Sequence, residues 1–354
     1  MKFIISSIVI ALISQAVYAD DNREYCDYAK EKAHAESILQ KSPQVFLGGG
    51  RDGSSNSNVI GLGIKESLSG FLKSYTSEAL GQDDCQVYRT TNQLQTHIEY
   101  DLTNIQLKQV QFREEAVSLG IKHVSELIAA ETIRVNAGVS TKITLSTLQA
   151  YRAKLEDELA NLKQREALTR VPVGTHIEPV SVLISQLVED TDKYQHDLSK
   201  QAKYDNWDVA VTTGVGSDPS RSMFSTPNQR FTNLQFTYSL GGPSRSRALD
   251  SAADHYTKWT QLNNNGPVHL ASQIREQVQN AIDAAKGSKA AYDHYRKTIQ
   301  TNLDSLEGLD TAPAHSFRIQ LQIEQTSNDI ESSCNEYTVN QFTNYLNYNF
   351  KSVL

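Results

Sequence analysis

The chain has 354 residues, of which 39% are hydrophobic, and a formal charge of −7 at pH 7. This acidic balance argues against a nucleic-acid partner, which would need a clustered basic face. No apolar run after residue 13 reaches the length of a transmembrane helix, which excludes a helical inner-membrane protein.

Residues 1–19 have the three parts of a secretory signal peptide. Lys2 provides the positive charge, residues 3–13 form a short apolar core, and residues 17–19 form a small-residue cleavage site. No Cys follows this site, which argues against a lipid anchor. The sequence predicts an exported mature protein that is either soluble or assembled into an outer membrane. The alternative is a buried N-terminal helix.

One architectural unit then occurs twice, about 165 residues apart. Each copy is predicted to contain a helix, a short β-hairpin, a very long helix, a turn marked by glycine and a returning helix. The predicted fold class is therefore mainly α with short β-hairpins. The predicted segments are 1–19 for the signal peptide, 20–170 for the first repeat (hairpin at about 43–65, coiled-coil helices at about 66–170), 171–190 for a short equatorial linker, and 191–350 for the second repeat (hairpin at about 206–241, helices at about 243–350).

The two hairpins supply four predicted strands. Residues 43–47 pair with 59–63, and residues 207–211 pair with 231–238. Two strands are too few for a stable sheet, and four cannot close a barrel. The sequence therefore predicts that other chains complete the sheet in an oligomer.

The fourth strand alternates between apolar and polar residues. Leu234, Phe236 and Tyr238 share one face, and Asn, Gln and Thr occupy the positions between them. Such alternation is typical of a transmembrane barrel strand with a lipid-facing side and a wet interior. A half-buried soluble sheet has the same pattern. Trp207 and Tyr204, at the start of the third strand, are placed as interfacial anchors, and with the signal peptide and long helices they favour the membrane alternative.

Apolar residues follow the predicted long helices at steps of three and four. Such a narrow stripe predicts helices that pack laterally against like helices. The segment 66–137 would be roughly 105 Å long at about 1.5 Å per residue. The stripe consists of Leu94, Ile98, Leu102, Ile105, Val117, Ile121, Val124, Ile128, Leu148, Tyr151, Leu155, Leu159, Leu162, Ile274, Val278, Ile282, Ile299, Leu303 and Leu306.

Three interruptions of these helices are predicted. Residues 81–84 and 263–267 should break the two descending helices, because Gly and Pro cost roughly 1 and 3 kcal/mol in a helix interior. The first ascending helix should stop at 171–174, before a short amphipathic segment at 180–188. The three interruptions either form a belt around a long tube or are ordinary surface loops.

The far-end turn of each repeat contains glycine. The first turn includes Ala137, Gly138 and Val139, and the second includes Gly308. A tight helix reversal needs a residue that accepts a positive φ, which favours glycine.

Three short motifs occur in a fixed order within this duplicated layout: Pro-Gln-Val at 43–45, Arg-Val-Asn-Ala-Gly-Val-Ser-Thr at 134–141 and Ser-Leu-Gly-Gly at 239–242. Together they resemble the TolC family of outer-membrane efflux and secretion channels, over about residues 22–350. The resemblance implies a homotrimer in which each protomer gives four strands to one outer-membrane β-barrel on a periplasmic α-helical barrel. It also implies a periplasmic adaptor (membrane fusion) protein bound at the two turns, and an inner-membrane transporter as a further partner.

The second turn departs from the family pattern, because residues 311–315 read Thr-Ala-Pro-Ala-His. The paired aspartates that ring the periplasmic entrance in the family align with Arg318 and Leu321, so an acidic gate is not carried over. Arg318 is instead the candidate for a gate or tip-packing cation. The alternative is a solvated helix charge.

No catalytic constellation is found in the sequence. Residues 61–65 lack the Gly-Lys-Ser/Thr ending of a phosphate loop. His97 and Glu99 have the spacing of a zinc deaminase motif without its Cys partners, and both are expected to be solvated beside the core residue Ile98. The prediction is a protein that is not an enzyme and uses no cofactor or metal.

The leading functional prediction is the outer-membrane duct of a tripartite efflux pump or type I secretion system, which carries substrate from an inner-membrane pump. The alternative is a non-conducting TolC-like coiled-coil interaction protein, favoured by the short chain and the unusual second turn. An exported hydrolase is the third class. The transported substrate is not encoded in any motif of the chain.

The three cysteines allow a pairing prediction. Cys26 lies about 18 residues before strand one and Cys85 about 22 residues after strand two, so antiparallel flanking helices would place them at one depth. Cys334 would lie tens of ångströms away at about 1.5 Å per residue. In an oxidising compartment a neighbouring pair joins. The sequence predicts a Cys26–Cys85 disulfide and a reduced Cys334.

Overall fold

A computed structural model describes residues 19–51, 58–169, 178–217, 229–262 and 266–351. The fold is mainly helical with one small antiparallel sheet. The elements in chain order are α1 (Ala19–Lys41), β1 (Gln44–Arg51), β2 (Asn58–Ser67), α2 (Leu68–Asn136), α3 (Lys142–Leu168), α4 (Val180–Lys203), β3 (Trp207–Ser217), β4 (Gln229–Tyr238), α5 (Gly242–Leu262), α6 (Pro267–Ser305) and α7 (Ala312–Phe350).

The order of these elements confirms the predicted duplication. The first copy contains α1, β1, β2, α2 and α3, and the second contains α4, β3, β4, α5, α6 and α7. All four strands are longer than predicted, with 8 to 11 residues. Ala19, the last residue of the predicted signal peptide, begins α1, and residues 1–18 lie outside the described part.

The two hairpins form a single four-stranded sheet. Its order is β1-β2-β3-β4, and every neighbouring pair is antiparallel. The second strand of the first hairpin pairs with the first strand of the second, so that Leu62 opposes both Leu47 and Val215. The duplicated halves are therefore joined by backbone hydrogen bonds.

The chain divides into two compact units, and each unit draws segments from both repeats. The strand-bearing unit consists of Ala16–Leu94 and Val182–His269, and the turn-bearing unit consists of Gln95–Ser181 and Leu270–Leu354. All four strands belong to the first, and both predicted far-end turns belong to the second.

The turn-bearing unit has an apolar core formed by the predicted stripe. Residues of α2 and α3 pack there against α7, and a second cluster joins α6 to α7. The stripe prediction is confirmed, because its members are buried or pack against these cores. The buried core residues are Val117, Val124, Leu148, Leu155, Leu162, Ile319 and Ile330 in the first cluster and Ile299, Leu306 and Leu321 in the second.

The interior of the strand-bearing unit contains many small polar residues. Hydrogen bonds connect them between helices: the Ser37 hydroxyl donates to Glu78 at 2.9 Å, and the Thr90 hydroxyl donates to Asp190 at 2.8 Å. Small side chains let helices approach closely, and each buried polar group then needs a partner. The buried polar residues include Ser37, Ser69, Ser74, Thr76, Ser77, Asp83, Thr90, Asn92, Thr191, Ser199, Asn206 and Thr257.

The predicted interruption at 81–84 is wrong, because α2 continues unbroken through these residues. Gly81 lies where α1 packs tightly against α2. A Cβ added to Gly81 would be 2.5 Å from the Ala33 Cβ and 2.9 Å from the Ala29 carbonyl oxygen. The glycine therefore allows close helix packing, and this packing offsets its unfavourable helix propensity of about 1 kcal/mol.

The other two interruptions coincide with ends of helices. α5 ends before α6 begins, and α3 ends before α4 begins, while residues 263–265 and 171–174 lie outside the described part. The segment predicted at 180–188 is only the first part of α4, which continues to Lys203. The continuation carries few apolar residues, and polar contacts such as that between Thr90 and Asp190 hold it instead.

Among the described helices, none combines the length and the apolar character that crossing a membrane requires.

Candidate functional site

One face of the sheet carries apolar side chains, most of them exposed, with the charged residues Glu66 and Arg230 near its two ends. Antiparallel pairing directs opposed residues to the same side, so the register defines a common face. Val45 and Leu47 of β1 are 75% and 76% exposed, and Leu234 and Phe236 of β4 are 74% and 68% exposed. We call this set the outer face; it also contains Ile60, Leu62, Ile64, Trp207, Val209, Val211, Val215 and Tyr238.

The outer face includes all three residues predicted to face lipid, Leu234, Phe236 and Tyr238. The sequence pattern singled out only β4. The same alternation in Val45 and Leu47, and at residues 60, 62 and 64, marks β1 and β2 as members of this face. In β2 the residues between them are Gly61 and Gly63, and in β1 the residue between them is Phe46, so neither strand alternates between apolar and polar residues.

The opposite, inner face is polar and rich in glycine. Phe46 lies on this side over Gly63, where an added Cβ would collide with the Phe46 ring and with the Thr213 carbonyl oxygen. Gly63 thus makes room for the Phe46 ring. Further inner-face residues include Gln44, Gly61, Lys65, Asp208, Ala210, Thr212, Gly214, Gly216, Asn233, Gln235 and Thr237.

Both lateral edges of the sheet are unpaired within the described strands. β1 pairs with β2 alone, and β4 pairs with β3 alone. An edge strand presents a row of free N–H and C=O groups that can pair with another chain. The sheet is therefore open on both sides.

The helix-proximal end of the sheet carries aromatic and charged residues. Trp207 opposes Tyr238 on the outer face, and the Tyr204 ring lies 6.2 Å from that of Trp207. On the inner face, Asp208 accepts hydrogen bonds from Ser67 at 2.6 Å and from Ser69 in the first turn of α2 at 2.9 Å. These bonds fix the sheet to the helix after it.

The first far-end turn closes in a Schellman arrangement. Gly138 has φ +72°, and its N–H donates to the Val135 carbonyl at 3.0 Å. The Val139 N–H donates to the Arg134 carbonyl at 2.9 Å. These two bonds satisfy carbonyls at the end of α2. Val139, together with Ile133 and Ile143, leaves an exposed apolar surface around this turn.

The second far-end turn closes in a different way. Gly308 has φ +76°, so both turn glycines have the positive φ that the sequence predicts. The Arg318 guanidinium donates to the carbonyls of Leu306 at 2.7 Å and Leu309 at 3.2 Å. Arg318 is partly buried and satisfies these carbonyls. These two hydrogen bonds join Arg318 to the second turn.

The structure brings the two turns side by side. The Arg134 guanidinium lies 3.6 Å from the Asp310 carboxylate across the turns. Behind them, His315 Nε2 is 2.7 Å from Glu131 Oε2, and the Ser140 hydroxyl donates to Glu131. Glu131 is almost fully buried. Burial raises the pKa of its carboxyl, but the bonds from Ser140 and His315 and the Arg134 charge outweigh burial, and the pKa is lowered.

In the structure Cys26 and Cys85 form a disulfide that joins α1 to α2, with Cα atoms 4.7 Å apart. Tyr25 stacks on Tyr88 beside it, with ring centroids 4.0 Å apart. Cys334 is not in a disulfide, and burial raises the pKa of its thiol to about 11.

The expectation that His97 is solvated is wrong. His97 is buried, and its Nε2 lies 3.0 Å from Asn349 Oδ1, which also accepts from the Val180 backbone N–H at 3.1 Å. The Asn349 amide donates to Asp101 at 3.0 Å. His97 therefore belongs to a structural network that fastens the end of α7. Within the described residues, no group of three or more His, Cys, Asp or Glu could hold a metal ion.

Comparisons with known proteins give structural similarities only. No family model and no curated protein matches the chain. The outer-membrane channel OprN is 13% identical, with 91% of this chain and 86% of that chain covered and a TM-score of 0.46. The outer-membrane protein VceC from Vibrio cholerae is 10% identical, with 96% and 95% covered and a TM-score of 0.48. CusC, whose structures are described in relation to folding and transmembrane channel formation, is 11% identical. The similarity covers 91% of this chain and 88% of that chain, with a TM-score of 0.44.

OprN is described as an outer-membrane channel and VceC as an outer-membrane protein. The features of this chain that bear on its function are the strand register, the open sheet edges and the two glycine turns.

Proposed function

We propose that the protein is the outer-membrane duct of a tripartite efflux pump or type I secretion system. Three protomers would each contribute their sheet to one β-barrel in the outer membrane, and their helices would form a periplasmic tunnel. Substrate would then pass from an inner-membrane pump across the periplasm and the outer membrane.

The observation that carries this proposal is a sheet with an exposed apolar outer face and two open edges. If this face stayed in water, the protein would lack roughly 25 cal/mol of stabilising free energy for each Å² of apolar surface left exposed. In a bilayer an open edge is not tolerated, because each unsatisfied backbone group costs several kcal/mol. Lipid on the outer face and strand pairing with other copies solve both problems. The strands β2, β3 and β4, with 10, 11 and 10 residues, have the length of tilted membrane strands.

The inner face supports a conducting role. A barrel with a polar interior and an apolar exterior encloses a water-filled lumen. Gln235 and Thr237 alternate with the apolar residues of β4 and would line it. The glycines at positions 61, 214 and 216 add no side chain to the inner face.

The two turns form the proposed docking surface for a periplasmic adaptor. Ala137, Gly138 and Val139 are exposed, and Gly308 is exposed beside them in the second turn. Their exposed apolar neighbours supply contact area that a partner can bury. Arg318 is assigned a supporting role, since it satisfies carbonyls of the second turn and holds its shape.

Single-channel recording tests the proposal. The purified full-length protein should require detergent and should produce discrete conductance steps when it is reconstituted into planar lipid bilayers. A protein that stays dispersed without detergent and is electrically silent would contradict the duct. That outcome would favour the non-conducting coiled-coil interaction protein instead.

A further inference from the structure

Two aromatic residues near the start of α2 are exposed, and we call Phe71 and Tyr75 the α2 aromatic pair. They are 47% and 61% exposed, and their rings meet edge to face with centroids 5.1 Å apart. α1 and α4 both bind α2 at this level, because the Ser77 hydroxyl donates to Gln40 of α1 at 2.9 Å and accepts from Gln201 of α4. Neither neighbouring helix covers the pair, so its surface is free within one protomer.

The exposed stripe of α2 that contains the pair changes its composition with distance from the sheet. Leu68, Phe71 and Tyr75 begin the stripe at helical spacing, and Glu78 and Gln82 continue it on the same side of the helix. A helix of another copy would bury a stripe along the whole length of α2, as in a coiled coil. A layer next to the sheet would bury only the first two turns, where the stripe is apolar.

The α2 aromatic pair lies on the side of the outer face. Ser67 and Ser69 both donate to Asp208 on the inner face, so Leu68 between them points to the opposite side. The pair follows Leu68 by three and seven residues and therefore shares its side of the helix. The apolar surface of the sheet thus continues onto the first two turns of α2.

The pair also lies at the level of the aromatic residues at the helix-proximal end of the sheet. β3 continues three residues beyond its last pair with β2, as far as Trp207, which opposes Tyr238 on the outer face. Lys73, which lies between the two members of the pair, forms an ion pair with Asp205, two residues before Trp207. This contact places the start of α2 beside Trp207.

We propose that the α2 aromatic pair is inserted among the phospholipid headgroups of the periplasmic leaflet, where it forms one aromatic belt with Trp207 and Tyr238. The inference rests on the proposed assembly in the outer membrane. Aromatic side chains concentrate at membrane–water interfaces, where one part of the ring meets apolar chains and its polar tip meets water. The pair spans about 6 Å along α2 at about 1.5 Å per residue. The headgroup layer is roughly 5–7 Å thick on each side of the hydrocarbon core.

The charges at this level suit a phospholipid surface. Asp205 pairs with Lys73 and with Arg245, whose guanidinium lies 3.1 Å from the carboxylate, so two cations meet one anion. This cluster is partly exposed, and its net positive charge is attracted to phosphate groups. Glu66 stands at the same end of the outer face, where a carboxylate meets headgroup amines instead of hydrocarbon.

Fluorescence quenching by brominated phospholipids tests the proposal on the full-length protein. The chain contains two tryptophans, Trp207 and Trp259, so Trp259→Phe leaves Trp207 as the only indole and reports on the sheet. Two further proteins add Phe71→Trp or Gln82→Trp to Trp259→Phe. Both positions are exposed on one stripe of α2, and position 82 is about 16 Å farther from the sheet at about 1.5 Å per residue. Each protein is reconstituted into phosphatidylcholine vesicles with bromine on the acyl chains next to the headgroups.

The quenched fraction of the emission should be as high with Phe71→Trp as in Trp259→Phe alone, because both indoles contact lipid. It should fall with Gln82→Trp, because one of the two indoles then stays in water. If Phe71→Trp lowers the quenched fraction as much as Gln82→Trp does while Trp207 itself is quenched, this inference is overturned and the membrane sheet is retained. An unquenched Trp207 would overturn the proposed membrane assembly as well. Equal quenching with Gln82→Trp would overturn a belt limited to the first two turns.

Discussion

Phe236 and Gln235 are neighbours in β4 with opposite environments. Phe236 opposes Val209 on the outer face, and Gln235 opposes Ala210 on the inner face. Phe236 therefore lies on the proposed lipid-facing side of the sheet, and Gln235 lies on the proposed lumen-facing side.

We expect Phe236→Arg to impair assembly in the outer membrane, because an arginine facing lipid near mid-membrane costs roughly 2–4 kcal/mol. Gln235→Arg introduces the same side chain on the inner face and should leave assembly intact. The measurement is the amount of assembled protein in outer-membrane fractions. Equal tolerance of arginine at both positions would contradict the membrane orientation of the sheet.

Glu131 provides the clearest prediction of pH dependence. Its pKa lies below the ordinary value of 4.5, so its contribution to stability is present above that value and is lost as pH falls through the lowered pKa. Glu131→Gln should destabilise the protein at pH 7 by about 1.5–3 kcal/mol, the range for a hydrogen bond to a charged group.

Chemical denaturation of both proteins as a function of pH measures this effect. The difference between wild type and Glu131→Gln should shrink as pH falls below 4.5. Glu126→Gln changes an exposed glutamate on the same helix and should have little effect. A difference that stays constant with pH would mean that packing, and not charge, makes Glu131 important.

The environment of individual residues can be predicted from the sequence where a single physical effect, such as the burial of apolar side chains, determines it. The spacing of Val117, Val124, Leu148 and Leu155 predicted burial, because an apolar stripe on a long helix has few alternatives. His97 was assigned to solvent, because its partner Asn349 lies 252 residues away in the chain. Buried polar networks depend on such distant partners, and local patterns do not encode them.

Among the structural elements, the two turns depend on backbone conformation and not on side-chain space. A Cβ added at Gly138 would meet no atom within 4 Å, so the cost of a side chain there comes from φ +72° alone. Gly287, inside α6, offers a matched position, because an added Cβ would also meet no atom within 4 Å and its φ is not positive.

We expect Gly138→Ala to destabilise the protein by about 1–2 kcal/mol, the cost of a left-handed conformation for an L-residue. Gly287→Ala adds the same methyl group to a helix interior and should stabilise by about 0.5–1 kcal/mol. Denaturation midpoints check both values. Opposite signs of the two stability changes support the turn geometry, and a loss of stability in both variants would refute it.

A bulky residue at Gly138 should also abolish export while trimer yield stays normal.

The disulfide between α1 and α2 gives a test of helix register. Cys26 and Cys85 are separated by 59 residues, and closing a loop of that size stabilises by roughly 4 kcal/mol in the chain-entropy model. Peptide mapping without reductant should find this bridge and a free Cys334 thiol. The double variant Cys26→Ser/Cys85→Ser should lose most of that stability. A bridge that includes Cys334 would show that the packing of α1 on α2 is different.

For helices, strands and turns, the sequence predicts that an element is present better than it predicts where the element begins and ends. The glycines at 138 and 308 marked the turns correctly, because a positive φ restricts the residue type. At Gly81 the prediction of a helix break is wrong. Glycine is needed there for close packing against Ala33, and the helix continues through it. A single chain read locally cannot separate these two reasons for glycine.

For the whole molecule, the open sheet sets the number of copies that can close a barrel. One chain supplies four strands, so two copies give eight strands and three give twelve. The interior of an eight-stranded barrel is just wide enough to be filled by its own side chains. Twelve strands leave a lumen, and the polar inner face with Gln235 and Thr237 is suited to contact with water.

We therefore expect three copies in the assembled protein. Native mass spectrometry in detergent should give three times the mass of the mature chain, and the trimer should dissociate in SDS. Phe236→Arg should lower the trimer fraction, because the misplaced charge opposes insertion, while Gln235→Arg should leave it unchanged. A dimer with unaltered strand content would fill the barrel with side chains, and would be incompatible with conduction. Three copies without conductance would instead separate assembly from transport and favour a closed resting channel or a scaffold.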